Sequence, residues 1–125
     1  MDTAATGRFV SNVPLSGPPL LRAVVNHILA HPEEWEQTRF HSPCYSAHCV
    51  AGFCQIFAGY EIDSLMAWRQ AQRELGISDS DAAWLFERTR TLPEIHGFAV
   101  NFLADSVSSH VRHGVCVSTE DLKPL

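Results

Sequence analysis

Little in this sequence supports a contact with nucleic acid or a lipid bilayer. Its nine basic residues are all arginine except Lys123, and they are scattered against fourteen acids for a net charge of −5. Duplex nucleic acid is bound by clustered cations, and no such stripe exists here. No apolar run is long enough to span a bilayer, and the opening MDTAATGRFV has neither the basic start nor the apolar stretch of a secretory signal. These absences point to a cytoplasmic protein without membrane or nucleic-acid partners. In that setting the four cysteines are expected as thiols. Also missing are G-x-S-x-G, G-x-x-x-x-G-K-[ST] and G-x-G-x-x-G, so neither a hydrolase elbow nor a common phosphate loop is encoded.

What is present is enough apolar material for one core. The chain has 125 residues, 46% of them hydrophobic, the size of a single domain. Gly7, Pro14, Ser16 and Gly17 mark residues 1–17 as a loose arm, leaving 18–125 as the folded part. From Pro19 to His31, Leu21, Val24, Val25 and Ile28 recur at helical spacing and predict a helix with one buried face. Pro32 starts a short second turn whose Glu33 and Glu34 suit a helix's positive end.

The segment from Ala47 to Ala58 is apolar nearly all round, as a central helix would be. Ser46 is its expected cap and Gly59 its stop. A helix capped by Asp63 or Ser64 runs to Gly76. A capping box at Ser78–Asp81, with Ile77 and Ala82 as staple, starts the next. Pro93 opens the last helix, which reaches toward Gly114. Val115 to Val117 form a short extended tail. No segment alternates for long, so the expected class is all-α: five or six helices around a buried central one.

The densest chemistry lies in and after the loop 38–46. His41, Cys44, His48 and Cys49 are metal-ligand types, but their spacing matches no standard zinc finger. On a helix His48 and Cys49 would point about 100° apart, so no metal site is expected. Cys49, placed about three residues past a cap, is a candidate nucleophile if the helix dipole lowers its pKa; the competing reading is a core thiol. Cys54 belongs to another helix face. His110 with His113, and His27 with His31, are spaced to share a metal or simply to complement a helix end; His96 stands alone. Trp35, Trp68 and Trp84 suit either core or peptide contact. Asp79 and Asp81 read as capping residues. Arg39, Phe40, His41 and Tyr45, with His48 just beyond, form a candidate substrate-binding edge.

The stretch from Ala30-His31-Pro32-Glu33-Glu34 through Cys44-Tyr45-Ser46-Ala47-His48-Cys49-Val50-Ala51-Gly52-Phe53, then Leu75-Gly76-Ile77-Ser78 and Trp84-Leu85-Phe86, resembles a group of small actinobacterial and phage proteins. Their pattern is C-G-T-x-x-C-x-A-G-W followed by L-G-[LI]-[ST] and a Leu-Phe pair. The resemblance covers roughly residues 20–105, with departures at Tyr45, Ser46 and Phe53. Within that group the chain is similar to the lysinoalanine synthases of cinnamycin- and duramycin-type lantibiotic clusters.

That similarity implies an all-helical homodimer that adds a Lys amine to a dehydroalanine of a modified precursor peptide. It also implies that a hydroxyaspartate carboxylate of the peptide serves as base, with no metal or organic cofactor. No functional residue of the family carries over by motif. The rival expectations are a non-catalytic helical binding, adaptor or immunity protein, and a thiol enzyme using Cys49.

Overall fold

The computed structural model describes residues 14–113 and 122–125, with side chains up to 105 in the last helix. The arm expected over 1–17 lies mostly outside these residues. So do the tail expected at Val115–Val117, Cys116, and the side chains of His110 and His113.

The described chain is all-α. Helix α1 spans Gly17–Ala30, α2 Val50–Phe57, α3 Ala67–Leu75, α4 Asp79–Leu85 and α5 Leu92–His113, with a 3-10 turn at Pro32–Glu34. Among the described residues strand pairing is limited to isolated bridges of His48 with Trp35 and with His41. No described helix is long and apolar enough to cross a membrane.

Helix α1 buries Leu21, Val24, Val25 and Ile28, the stripe its spacing predicts, and Leu20 besides. It packs on α2, α3 and α5, and α2 lies against both α1 and α3. Every residue of α2 except Ile56 is buried, including Gln55. The expectation of a central helix therefore holds, and Phe53 is its largest fully buried side chain.

Four expected boundaries are corrected. Helix α1 begins at Gly17, inside the expected arm, rather than at Pro19. The central helix begins at Val50 rather than Ala47, and Cys49, not Ser46, is its N-cap. The reason is backbone pairing. Ala47 O accepts from Ser42 N, His48 N donates to Glu34 O, and His48 O accepts from Glu36 N, so 47–49 is committed to extended partners. The third helix starts at Ala67, after a turn in which Asp63 Oδ1 accepts from Leu65 N. The last helix starts at Leu92, where Thr91 and Glu94 form a reciprocal capping box: Glu94 Oε1 takes Thr91 N–H at 2.8 Å and Thr91 Oγ1 takes Glu94 N–H at 3.4 Å.

Two punctuation marks sit as expected. Gly76 ends α3 in the left-handed region at φ 72. Ser78 caps α4 by accepting from Asp81 N at 3.1 Å.

Phe53→Ala removes the ring at the centre of this packing. The expected cost is roughly 3–5 kcal/mol, read as a lower urea midpoint with helical circular dichroism retained in the absence of denaturant.

Candidate functional site

Between Ala30 and Val50 the chain has no α-helix, yet Glu34, Gln37, His41, Ser42 and His48 are all buried. Their polar atoms need partners inside the protein. Gln37 supplies one set. Its Oε1 accepts from Trp35 Nε1 at 3.0 Å and from Val50 N at 3.4 Å, and its Nε2 donates to Leu85 O and Glu87 O, each at 3.1 Å. One amide thus ties the loop to the start of α2 and the end of α4.

His41, His48 and Gln55 make the second set. Gln55 Nε2 donates to Asp63 O at 2.9 Å and to Gln70 Oε1 at 2.7 Å, while its Oε1 accepts from Asp63 N at 3.0 Å. With Oε1 the acceptor, the 2.7 Å contact to His41 Nε2 requires a proton on that nitrogen. A neutral His41 then accepts at Nδ1, and His48 Nδ1–H donates to it at 2.8 Å.

Burial lowers the pKa of His41, and the Gln55 contact only partly opposes it. Burial, followed by the neighbouring His41, pushes His48 down to about 4. Both imidazoles are neutral near pH 7, which fixes their tautomers as described.

Above this base the chain projects a turn. Tyr45 N donates to Ser42 O at 2.9 Å, and Ser42 Oγ accepts from Ser46 N and Ala47 N. Pro43, Cys44, Tyr45 and Ser46 are exposed. Tyr45 has φ 59, a left-handed conformation unusual for a bulky residue, and is 59% exposed.

The five residues expected to form a binding edge therefore divide. Arg39 and Tyr45 face solvent, with Arg39 Nε 3.5 Å from Glu36 Oε2. Phe40 is half-buried against the core. His41 and His48 lie beneath the surface as supports. His48 precedes α2 rather than occupying its first turn.

The cysteines divide as well. Cys44 is exposed, and its pKa is lowered by Ser46 Oγ at 2.8 Å and, less, by Ser42 Oγ at 3.8 Å. Cys49 is buried at the N-cap, where desolvation pushes its thiol up to about 11. Burial outweighs the helix-end effect that made Cys49 a candidate nucleophile, and it is a core thiol. Cys54 is fully buried and pushed up further.

The quartet His41, Cys44, His48 and Cys49 does not converge: the two imidazoles meet each other, while Cys44 is exposed on the turn and Cys49 is buried at the start of α2. The group of ligand types that does converge among the described residues is His31, Glu33 and Glu34, whose donor atoms lie within 4.8 Å of one another. Such a set suits a borderline divalent ion. Its most buried member, Glu34, already accepts from His27 Nε2 at 2.8 Å through Oε1. That contact ties α1 to the 3-10 turn and accounts for the His27–Glu34 pairing without an ion.

Sequence reasoning passed over Gln37 and Gln55, whose roles depend on partners distant in sequence. It also passed over the reason for Gly52. A Cβ on Gly52 would lie 1.9 Å from Phe40 O and 2.9 Å from Phe40 C. The missing side chain is what lets the loop backbone touch α2.

Comparison with known proteins gives no match to a family, to a curated protein or to a solved structure.

Two measurements test this frame. Gly52→Ala should destabilise by roughly 1–3 kcal/mol through overpacking, with hydrogen exchange of the amides in 39–42 rising more than that of α5. His48 ring resonances should keep their neutral positions from pH 8 to about pH 5. The folded pKa of His48 lies below the unfolded value, so the stability is complete above about pH 6.5 and is lost as pH falls toward 4. The full shift corresponds to about 3 kcal/mol, visible as a falling urea midpoint across that window. A His48 titrating near 6.5 in the folded protein would disprove the buried neutral pair.

Proposed function

We propose that the protein binds a ribosomally made, modified peptide over the exposed turn 43–46 and closes a lysinoalanine bridge in it. The observation that carries this reading is Tyr45. A bulky residue in the left-handed region costs about 1–2 kcal/mol, and residues held there tend to sit at functional positions. Here that residue is exposed and presented on a turn anchored from below.

The chemistry needs little from the protein beyond placement. The Lys nitrogen forms a bond to the β-carbon of dehydroalanine, and the double bond's electron pair moves onto the α-carbon and its carbonyl as an enolate. The amine gives up a proton and the α-carbon takes one. Nothing leaves and nothing is oxidised, so the sum calls for no redox partner. Holding the two ends of the peptide together supplies several kcal/mol, up to roughly 7–11. A donor aimed at the enolate oxygen supplies more.

Arg39 and Tyr45 are the groups that can meet the peptide. The Arg39 guanidinium suits a substrate carboxylate, exchanging its exposed contact with Glu36 for one to the ligand. The Tyr45 hydroxyl suits a carbonyl or enolate oxygen. His41 and His48 do not serve as base on this reading, because they are buried and hydrogen-bonded to each other. The base is then the peptide's own hydroxyaspartate carboxylate. The reading places the protein in the cytoplasm as a homodimer working without metal or organic cofactor.

The test is a dehydrated, hydroxylated lantibiotic precursor incubated with the protein. Bridge closure leaves the mass unchanged, so it is read as loss of the dehydroalanine's reaction with an added thiol. The unmodified protein should close the bridge. Arg39→Ala and Tyr45→Ala should each slow it by roughly 10–100-fold, with unchanged thermal midpoints, and Tyr45→Phe should report the hydroxyl's share. No closure by the unmodified protein would end the synthase reading. Closure by both folded alanine variants at the full rate would move the site away from this turn.

A further inference from the structure

A second surface lies on a different part of the molecule, between α4 and α5. Asp81, Trp84, Pro93, Glu94, Gly97 and Phe98, with Asn101, line an open groove of about 520 Å³. That is within the usual range for a small-ligand site, and too small for more than a side chain and its flanking backbone.

Its walls are aromatic. Trp84 and Phe98 run nearly parallel, with centroids 5.8 Å apart at 19°, and Phe98 continues onto Phe102 at 6.1 Å. Trp84 remains 37% exposed in spite of its size. Arg90 lies against it, its guanidinium carbon 4.0 Å from the ring centroid and its Nε donating to the Trp84 main-chain O at 2.7 Å.

The rim is acidic. Among the described residues Asp81 and Glu94 are the charged members of the lining, on a chain of net charge −5. Arg90 stands beside the groove, its Nη1 3.7 Å from Glu94 Oε2. Its guanidinium is committed to Trp84 and Glu94, so Asp81 carries most of the groove's unspent charge.

Gly97 supplies an independent observation. It lies inside α5, where glycine is a poor choice for helix stability. Glycine inside a helix is ordinarily explained by a close approach, and Gly52 is such a case. At Gly97 a Cβ would meet nothing within 4 Å. Among the described residues no neighbour requires the missing side chain. What its absence does is keep the groove open.

We propose that the α4–α5 groove binds a peptide segment presenting a lysine or arginine side chain, with its aliphatic stem on Trp84 and Phe98 and its cation toward Asp81. Long basic side chains lay apolar stems on apolar surface while their heads stay at a polar edge. The acidic rim repels an anionic ligand and favours a cationic one. Gly97 leaves room for the ligand's backbone along α5.

The test is an NMR titration of the whole protein with the peptide acetyl-Leu-Lys-Leu-amide and its twin carrying norleucine in place of lysine. The expected result is a set of shifts centred on the Trp84 indole, Gly97 and Asn101, with the lysine peptide binding at least fivefold more tightly than its twin. Gly97→Leu should fill the groove and abolish these shifts, while its thermal midpoint equals or exceeds that of the unmodified protein. Asp81→Asn should weaken the lysine peptide and leave the twin unchanged, which keeps the test open if Gly97→Leu does not fold. Equal binding of the two peptides, shifts elsewhere, undiminished binding to Gly97→Leu, or no binding by the unmodified protein would each overturn the proposal. Shifts of the same residues with protein concentration alone would assign the groove to a second copy of the chain and overturn it as well.

Discussion

The segment between α1 and α2 enters the interior with only a 3-10 turn and isolated bridges for backbone pairing, and three amide and imidazole side chains help make up the deficit. A polar group buried without a partner costs more than an ordinary hydrogen bond returns. Gln37 and Gln55 are placed so that their donors and acceptors meet those of distant backbone, and His41 links Gln55 to His48. Gln55 is especially constrained, since one amide serves His41, Asp63 and Gln70 at once. The order of protonation along His48, His41 and Gln55 follows from that one side chain. Changing its chemistry would leave the two imidazoles without a defined tautomer.

The same network separates what is held from what is shown. Beneath the turn, two neutral histidines and the Ser42 hydroxyl fix the backbone; above it, Cys44, Tyr45 and Ser46 meet solvent. The depressed pKa of each histidine is the electrostatic signature of its position below the surface. A histidine on a binding edge would keep its solvation and titrate near its ordinary value. The division therefore leaves Arg39, Tyr45 and their exposed neighbours as the part of the segment that meets solvent.

Sequence pattern located the elements whose signals are local. The stripe Leu21, Val24, Val25 and Ile28 repeats within α1, Gly76 needs only its own φ, and Ser78 reaches Asp81 three residues away. Signals made by distant partners were illegible. Ser46 has the chemistry of a cap, but the pairing of Ala47 and His48 with Ser42 and Glu34 holds the backbone extended for three more residues. Apolar residues all round α2 mark it as buried and give no boundary. For His41 and His48, a loop histidine that binds a ligand and one that braces a loop read alike. Only the position of Gln55, one helix away, distinguishes them. The Trp84–Phe98 groove was illegible for the same reason, because its two walls belong to different helices.

Gly52 and Gly97 illustrate how the same residue type in the same secondary structure acquires opposite meanings. Each lies within a helix, and each forgoes the helix preference that alanine would provide. Against Gly52 lies the carbonyl of Phe40, close enough that the smallest side chain would overlap it. Its role is packing: it admits the loop that carries the turn, and so acts on the first surface through the backbone. Around Gly97 there is open space bordered by Trp84, Phe98 and two carboxylates. Packing among the described residues gives no account of its presence, and its small size leaves that groove open. A helical glycine thus serves packing when its absent Cβ would meet the protein, and leaves surface open when that Cβ would meet nothing.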